Sequence, residues 1–281
     1  MEPQNKQIKV SSQQKAEEPI SSACERCPLA VQRFGIDLEK WDYIVALAGN
    51  PNTGKSTLFN ALTGLRQHTG NWPGKTVARA EGGFGYQDKK YKIVDLPGTY
   101  SLLSASVDEE IARDFILFGK PDCTLVVVDS TCLERNLNLV LQVMEITDKV
   151  VVVANLMDEA RRRGIEVNYR RLGENLGVPV IPAAAAKGEG ISEILKAIHD
   201  MVMGTTHTTP HRIASEGPLK EAVDELTDMI EKTYPGIPNA RWIAMRLLDG
   251  DQKVRETLAN GDLAQLTQGQ VKTRESVDLD V

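Results

Sequence analysis

The stretch GNPNTGKSTLFNALTG, residues 49–64, decides the fold. From Gly49 to Ser56 it has the spacing Gly-x-x-x-x-Gly-Lys-Ser, the phosphate-binding pattern called the P-loop. The apolar run YIVALA before it predicts a buried strand, and the residues from Ser56 to Leu62 predict a helix that ends at Gly64. A glycine turn that binds nothing is the alternative interpretation. The agreement of strand, loop and helix favours a phosphate site, because loop N–H groups and a helix N-terminus both attract anions.

The P-loop pattern assigns a role to each part of this stretch. Lys55 is expected to reach the β- and γ-phosphates of a nucleotide, and the Ser56 hydroxyl is expected to bind Mg²⁺. Glycines allow the tight turn that points the backbone donors inward. The predicted nucleotide contacts in the loop are Asn50, Pro51, Asn52, Thr53, Gly54, Lys55, Ser56 and Thr57.

The composition is ordinary for a folded protein and argues against several classes of protein. Of 281 residues, 41% are hydrophobic and 26% are charged, and the net charge is −6. An acidic balance argues against nucleic acid as the main partner. No apolar run approaches the roughly 18 residues that span a bilayer, and the polar N-terminus does not resemble a signal peptide. A cytosolic location is therefore expected.

The four cysteines fall into two pairs. Cys24 and Cys27 form a single CxxC, which is half of a typical zinc site, and no second pair lies at metal-site spacing. A reduced pair in a mobile tail is the favoured interpretation, and a metal or redox role is the alternative. Cys123 and Cys132 flank a predicted buried strand and are expected to be small core residues.

Strand and helix patterns alternate along the chain. Two strands around the turn Gln87-Asp88 predict a hairpin, the one antiparallel pairing expected. Continuously apolar strands at 124–129, 149–155 and 178–182 alternate with helices, one of which begins with a capping box at Ser106 and Glu109. This pattern predicts an α/β P-loop NTPase fold with a mostly parallel sheet covered on both faces, followed by a small all-α domain.

Composition shifts divide the chain into five parts. The expected division is a polar, disordered extension at 1–40, an α/β domain at 41–203, a linker at 204–217, a helical domain at 218–260 and a flexible tail at 261–281.

Three further motifs follow predicted strands, where open α/β sheets bind ligands. In DLPG, Asp95 is placed to hold a magnesium-bound water, and the Gly98 N–H to bond the γ-phosphate. In NLMD, residues 155–158, Asp158 is expected to accept hydrogen bonds from guanine N1 and N2, a pairing that adenine cannot supply. In AAAAKG, backbone N–H groups are expected to cap the base; the candidates are Ala184, Ala185 and Ala186.

In this order the motifs resemble those of the Ras-like GTPases. The resemblance implies that Thr76, in GKTV, binds Mg²⁺ and senses the γ-phosphate as part of a first switch. It also implies that Asn155 and Leu156 belong to the base-recognition motif. Two residues depart from the pattern: Leu156 replaces the usual lysine, and Ala184 replaces the usual serine. The first change predicts weaker, faster-exchanging nucleotide, and the second a looser loop.

A narrower resemblance covers roughly residues 43–258. The stretches GNPNTGKSTLFNALTG, HTGNWPGKTV, VDLPGTYSL, DEEIARDFI, NLMDEA and ARWIAMRLLDGD closely resemble the cytosolic part of ferrous iron transport protein B. This resemblance implies a GTP-hydrolysing regulatory domain of a ferrous iron transporter, on the cytoplasmic face of the inner membrane. It implies GTP or GDP, Mg²⁺ and K⁺ as cofactors, and a membrane-embedded iron permease as partner. The cysteine-bearing N-terminal extension departs from the family pattern.

The hydrolysis machinery is the least regular part of the resemblance. Thr99 occupies the position where Ras-like enzymes often carry a water-orienting glutamine, and no arginine finger is evident. Some members of the resembling family use K⁺ held by an asparagine, which implies that Asn52 and the Gly70 and Trp72 carbonyls bind this cation. The predicted catalytic group is therefore Asn52, Lys55, Thr76 and Gly98. The alternatives are that Asn52 only stabilises a turn and that Trp72 is only a hydrophobic anchor.

Two other functions remain open from the sequence. Soluble ribosome-assembly and RNA-modification GTPases carry a similar N-P-N-x-G-K loop, although the basic RNA-binding module usual in them is missing here. The second alternative is a nucleotide-dependent binding switch that does not hydrolyse GTP at a useful rate. The GNWPGKT and ARWIAMRLL stretches favour the transporter.

Overall fold

A computed structural model describes residues 31–259 apart from 33, 65–66, 104–105, 213–215 and 238. A seven-stranded sheet forms its centre, in the order β2-β3-β4-β1-β5-β6-β7. Strands β4, β1, β5, β6 and β7 are parallel, as their apolar sequences predict. The strands are β1 Tyr43–Gly49, β2 Gln67–Asn71, β3 Ala78–Tyr86, β4 Lys89–Asp95, β5 Cys123–Asp129, β6 Val150–Asn155 and β7 Val180–Pro182.

Besides the helical residues 31 and 32, the described ranges contain nine α-helices. They are α1 Lys55–Thr63, α2 Val107–Gly119, α3 Leu133–Ile146, α4 Met157–Arg162, α5 Tyr169–Leu176, α6 Ile191–Val202, α7 Gly217–Thr233, α8 Ala240–Leu248 and α9 Gln252–Ala259. The capping prediction for α2 is confirmed, since the Ser106 side chain accepts a hydrogen bond from the Glu109 N–H. Helices α4 and α9 were not predicted, and both are short.

The predicted hairpin joins β3 and β4. Gln87 and Asp88 both have positive φ, 45° and 60°, the conformation of a two-residue type I′ turn. Strand β2 adds a second antiparallel pairing, with β3, that the sequence did not predict. The polar sequence QHTGN lacks the alternation of a strand, so its assignment depends on the neighbouring strand. We call residues 67–80, from β2 into the start of β3, the Trp72 hairpin.

Two apolar layers cover the sheet. One contains α1 and α6, with Phe59 and Ile194 among its buried side chains. The other contains α2, α3 and α5 and continues into the C-terminal helices through Ile230, Trp242 and Ile243. The sheet is therefore covered on both faces, and the helical domain extends one of the two layers.

The N-terminal boundary differs from the sequence expectation. Residues 31, 32 and 34–40 were assigned to a disordered polar extension, but Val31 and Ile36 are buried against the α/β domain. Few apolar residues are spread through this polar segment, so composition did not reveal their contacts. Cys24 and Cys27 lie outside the described residues, as does the predicted tail at 261–281.

The described part of the expected linker is bonded to the α/β domain. The N–H groups of Thr209 and His211 donate to the Gly177 and Leu176 carbonyls, and Arg212 Nε donates to the Met144 carbonyl. The Asn239 side-chain amide, which precedes α8, donates to the carbonyls of Glu145 and Ile146. The helical domain thus contacts the C-terminal end of α3.

Of the two cysteines in the described part of the chain, one matches its prediction. Cys123 is fully buried, and burial raises the pKa of its thiol well above the usual range. Cys132 is exposed, so its assignment to the core was wrong; strand β5 ends three residues earlier, at Asp129. Among the described helices, none has the length and apolar character needed to cross a membrane.

Candidate nucleotide-binding site

The P-loop leaves β1 and enters α1, as the sequence predicts. Two glycines are required by close neighbours: a Cβ on Gly49 would lie 2.7 Å from the Val127 carbonyl, and one on Gly54 would lie 2.3 Å from Asn155 Nδ2. Gly54 also has a φ of 81°, which favours glycine. The Thr53 hydroxyl donates to the Asn50 carbonyl at 2.9 Å and closes the turn. These contacts hold the loop against β5 and β6.

Lys55 lies at the start of α1 and points toward the end of β4. Its ammonium group donates to Asp95 Oδ1 and, at 2.7 Å, to the Leu96 carbonyl. Burial raises the pKa of Asp95, although the Lys55 charge acts in the opposite direction. The two residues expected to serve phosphate and magnesium therefore lie in direct contact.

The segment after Asp95 contacts the P-loop. Gly98 lies close enough to Pro51 that an added Cβ would be 3.5 Å from the Pro51 backbone. The Thr99 N–H donates to the Gly49 carbonyl at 3.2 Å. The structure thus brings the DLPG motif and the loop together.

Asn155 ties three segments to one another. Its side-chain Nδ2 donates to the Thr53 carbonyl at 2.9 Å, and its Oδ1 accepts the Ala185 N–H at 3.0 Å. Its own carbonyl accepts the Ser130 N–H. With only 1% of its surface exposed, Asn155 is a buried, bonded junction between the P-loop and the last loop. Leu156 follows with a φ of 59° and lies beside Gly54.

Asp158 is placed at the start of α4, and its carboxylate contacts a residue that the sequence analysis missed. Lys187 Nζ lies 3.0 Å from Asp158 Oδ2. The hydrogen bond from Lys187 lowers the pKa of Asp158, so the carboxylate is ionised at neutral pH. Lys187 directly follows the three predicted alanines, and a lysine one residue beyond a base-capping loop was the available signal.

Two amides of the alanine loop are bonded within the protein. The Ala184 N–H donates to the Glu189 carbonyl, and the Ala185 N–H donates to Asn155. Both donors have partners within the protein in this arrangement, and the contact of the three amides with a base stays a prediction.

The two loop asparagines differ sharply. Asn52 is exposed and has a φ of 65°, and within the described chain no hydrogen bond to its side chain is found. Asn50 is 2% exposed, and neither polar atom of its side chain has a hydrogen-bond partner within the described residues. The Asn52 amide is therefore accessible to a ligand beside the loop.

The candidate first switch lies in the Trp72 hairpin. Thr76 is exposed in its turn, where the Lys75 N–H donates to the Trp72 carbonyl at 3.0 Å. Gly70 lies opposite Arg79 in the β2–β3 ladder. The Trp72 side chain is buried between Phe34 and Phe115, so its role as a hydrophobic anchor is evident. The Trp72 carbonyl, which was predicted to bind K⁺, accepts the Lys75 N–H in this arrangement.

Two of the predicted magnesium contacts carry oxygen donors of the kind that this ion prefers. The hydroxyl of Ser56, at the exposed start of α1, and the carboxylate of Asp95 are the hard ligands that Mg²⁺ prefers. Within the described ranges, no group of three His, Cys, Asp or Glu side chains forms a separate metal site.

Comparison with known proteins identifies the family. The model of the family described as ferrous iron transport protein B matches residues 43–198, and that of the FeoB cytosolic helical domain matches residues 216–281. The chain belongs to the FeoB family. It is 41% identical over 211 residues to the Fe(2+) transporters FeoB of Shigella flexneri and Escherichia coli K12. The match covers 74% of this chain and 27% of each relative, so the chain spans about a quarter of their length.

Solved FeoB structures have the same fold. The cytosolic domain of L. pneumophila FeoB matches with a TM-score of 0.71 and 34% identity, over 82% of this chain and 90% of that one. The cytosolic domain of T. maritima FeoB in a GDP form matches with a TM-score of 0.71 and 34% identity, over 84% and 89%. The predicted G domain and its helical appendage are confirmed, and the chain carries the G domain of a P-loop GTPase family.

Proposed function

We propose that this FeoB chain binds GTP and GDP and hydrolyses GTP, and that it regulates a ferrous iron transporter. The observation that carries the proposal is the Asn155 junction, which ties the P-loop to the alanine loop while Asp158 stands at the start of α4. Related structures were solved in GDP and GMPPNP forms, which supports a guanine-nucleotide site. The FeoB match favours this function over that of an RNA-modification or ribosome-assembly GTPase.

Guanine selection is assigned to Asp158. An ionised carboxylate accepts from both N1 and N2 of guanine, and it would be poorly paired by adenine. Lys187 holds the carboxylate at the edge of the site before nucleotide arrives, and the Ala186 N–H is the proposed donor to the base.

Phosphate binding is assigned to the P-loop amides and Lys55. When a nucleotide is bound, the Lys55 ammonium is proposed to leave Asp95 for the β- and γ-phosphates, and Asp95 is freed to hold a magnesium-bound water. Ser56 and Thr76 would ligate the metal, and the Gly98 N–H would bond the γ-phosphate. Bound Mg²⁺ supplies positive charge that neutralises the phosphate oxygens.

Charge stabilisation during hydrolysis is assigned to K⁺ held by Asn52. Its exposed amide oxygen lies three residues before Lys55 and is a suitable hard ligand. The cation would offset negative charge that develops toward the β–γ bridge, the task that an arginine finger performs elsewhere. The Gly70 and Trp72 carbonyls are the proposed remaining protein ligands, and Trp72 would have to give up its bond with Lys75.

The test is phosphate release at saturating GTP in matched NaCl and KCl. Turnover is expected to be roughly tenfold faster in KCl, which corresponds to about 1.4 kcal/mol of barrier. Asn52→Ala should remove the difference between the salts. Asn138→Ala is the matched control, because Asn138 is an exposed asparagine on α3, away from the P-loop sequence.

Two outcomes contradict the cation role: equal rates in both salts, or an Asn52→Ala chain that still responds to K⁺. Absence of any GTP turnover in the intact chain, with GDP binding retained, would instead favour a binding switch without hydrolysis.

The wider context is also a proposal. The relatives are named as Fe(2+) transporters, and this chain covers 27% of their length. We infer that the chain works at the cytoplasmic face of the inner membrane, with a membrane-embedded iron permease as its partner, in the same polypeptide or as a separate chain.

A further inference from the structure

The described N-terminal residues form a strap over the α/β domain. We define the strap as residues 31, 32 and 34–42, which precede the family match that begins at residue 43. Its apolar residues Val31 and Ile36 are 4% and 1% exposed. The Phe34 ring meets Trp72 and Phe115 edge to face, with centroids 6.2 and 5.2 Å apart. The strap therefore completes the packing around the buried Trp72 side chain.

Backbone carbonyls of the strap cap two buried cations. Arg79 donates to the Phe34 carbonyl and, at 3.1 Å, to the Gly35 carbonyl. Lys92 Nζ donates to the Asp37 carbonyl at 3.0 Å. Carbonyls of non-regular backbone are thereby satisfied without water.

The two cations share one carboxylate beneath the strap. Glu81 lies 2.7 Å from Arg79 Nε and 2.5 Å from Lys92 Nζ. All three side chains are at most 10% exposed, although they lie on strands near the edge of the sheet. Two positive charges and one negative charge leave a surplus of positive charge, which the three strap carbonyls offset with their dipoles.

The far end of the strap is fixed by shape. The Trp41 ring lies over β3 at Gly83, where an added Cβ would be 1.9 Å from the ring. The Asp42 N–H donates to the Lys90 carbonyl, and Asp42 Oδ2 accepts the Lys90 N–H at 2.8 Å. Only glycine at position 83 permits this contact, so the strap is held at both ends.

The surface that the strap covers includes the proposed first switch. Phe34 packs on Trp72, and Arg79 lies in β3 opposite Gly70. For the Trp72 carbonyl to engage a cation it must give up its hydrogen bond from the Lys75 N–H, whereas the strap holds the Trp72 ring in place. We propose that the strap is an intramolecular regulator: it stabilises the Trp72 hairpin in the arrangement described here and thereby favours the diphosphate-bound over the triphosphate-bound site.

The energetic part of the inference rests on the proposed guanine-nucleotide function, but the restraint on the hairpin does not. A segment that binds one conformation of the switch better than the other shifts the equilibrium between them. Linkage requires the reverse effect as well: a triphosphate that rearranges the hairpin must loosen the strap by the same factor. The strap and the γ-phosphate therefore oppose each other, because each favours a different arrangement of the Trp72 hairpin although they bind at different places.

The experiment compares two shortened chains. One begins at residue 31 and keeps the strap, and the other begins at residue 41 and lacks most of it. Hydrogen exchange is followed at the Trp72 and Lys75 N–H groups in the nucleotide-free proteins. Exchange there is expected to be roughly tenfold faster without the strap, while the β6 amides serve as the unchanged reference. Equal exchange of the hairpin in both chains overturns the restraint.

A second variant guards against misfolding of the shorter chain. Phe34→Ala in the full chain removes the ring contacts with Trp72 and Phe115, and should speed hairpin exchange in the same direction. Phe84→Ala is the matched control, since Phe84 is also half-buried but stacks on Tyr91, with centroids 5.0 Å apart. A hairpin that responds equally to the two substitutions contradicts the inference.

Nucleotide affinities complete the test. The ratio of GMPPNP affinity to GDP affinity should rise about fivefold or more when the strap is removed or when Phe34 is replaced. An unchanged ratio overturns the regulatory part. If the chain that begins at residue 31 binds neither nucleotide, the proposed function fails, whereas the exchange result still decides whether the strap restrains the hairpin.

Discussion

The proposed base side and the proposed phosphate side of the site are built differently. On the proposed base side, Asn155 has buried hydrogen bonds to the P-loop and the alanine loop, and Asp158 is paired with the exposed Lys187. On the proposed phosphate side, Asn52 and Thr76 are exposed, and Lys55 bonds Asp95. The buried contacts of Asn155 suit the half that is proposed to recognise one base, whereas exchangeable contacts suit the half that is proposed to respond to one phosphate.

The largest effect on GDP affinity should come from removing the negative charge of Asp158, the proposed guanine contact. Asp158→Asn is expected to weaken GDP roughly 30-fold or more and to raise affinity for xanthosine diphosphate, because the amide can donate where the carboxylate accepts. Titration with fluorescent analogues of both nucleotides measures this. Lys187→Met is the control and should change affinity by less than about fivefold, since Lys187 is mostly exposed and its ion pair is screened. Unchanged GDP affinity in Asp158→Asn would remove this residue from the base site.

A smaller loss of GDP affinity is expected when the Asn155 side chain is removed. Asn155→Ala leaves the Thr53 carbonyl and the Ala185 N–H without their buried partner, which should cost about 2–4 kcal/mol of unfolding free energy. GDP affinity should fall roughly tenfold, because the P-loop and the alanine loop lose their tie. Urea unfolding and GDP titration check the two effects.

Asn136→Ala provides the comparison for that prediction. Asn136 is also almost fully buried, and it links the Cys132 carbonyl to the Asp129 N–H, but it joins no candidate base contact. It should lower stability with little effect on GDP affinity. A similar affinity loss in both variants would mean that the Asn155 effect is only general loosening.

The smallest effect concerns the ion pairs beside the Trp72 hairpin. Glu110 in α2 accepts from Lys75 of the hairpin at 3.3 Å and from Lys253 of α9 at 3.4 Å. Partial burial acts to raise the pKa of Glu110, but the two ammonium groups outweigh it and hold the pKa below its usual value. Glu110→Gln should lower the unfolding free energy by about 0.5–1 kcal/mol at pH 7.

The pH dependence of that difference follows from the lowered pKa. The native state binds fewer protons than the unfolded state, so the contribution is fully present above the unfolded pKa of about 4.3 and is lost as pH falls through the folded pKa. Urea unfolding at pH 7 and near pH 3 should show the two chains converging in acid. A difference that persists in acid would point to packing rather than charge.

Local sequence patterns predicted the elements that are determined by residues close to one another in the chain. The P-loop, the Ser106 cap and the Gln87-Asp88 turn each depend on residues a few positions apart, and each is present. The order of motifs at strand ends also placed Asp95, Asn155 and Asp158 at one edge of the sheet.

The missed features depend on distant partners. Nothing local in the polar N-terminal segment indicates that its carbonyls cap Arg79 and Lys92, because those side chains would be expected on the surface. Strand β2 is similarly a strand only because β3 lies beside it. The use of the Ala184 and Ala185 amides within the protein could not be derived from a motif that names only residue types.

The connection between the two domains has a mechanical consequence. Its Thr209 and His211 amides are bonded along the end of α5, and Arg212 is anchored to the end of α3. A force that reaches residues 208–212 would therefore be transmitted into α3 and α5, the helices that flank strands β6 and β7. Those strands lead into the Asn155 junction and the alanine loop, so such a force would act at the edge of the sheet where the proposed base contacts lie.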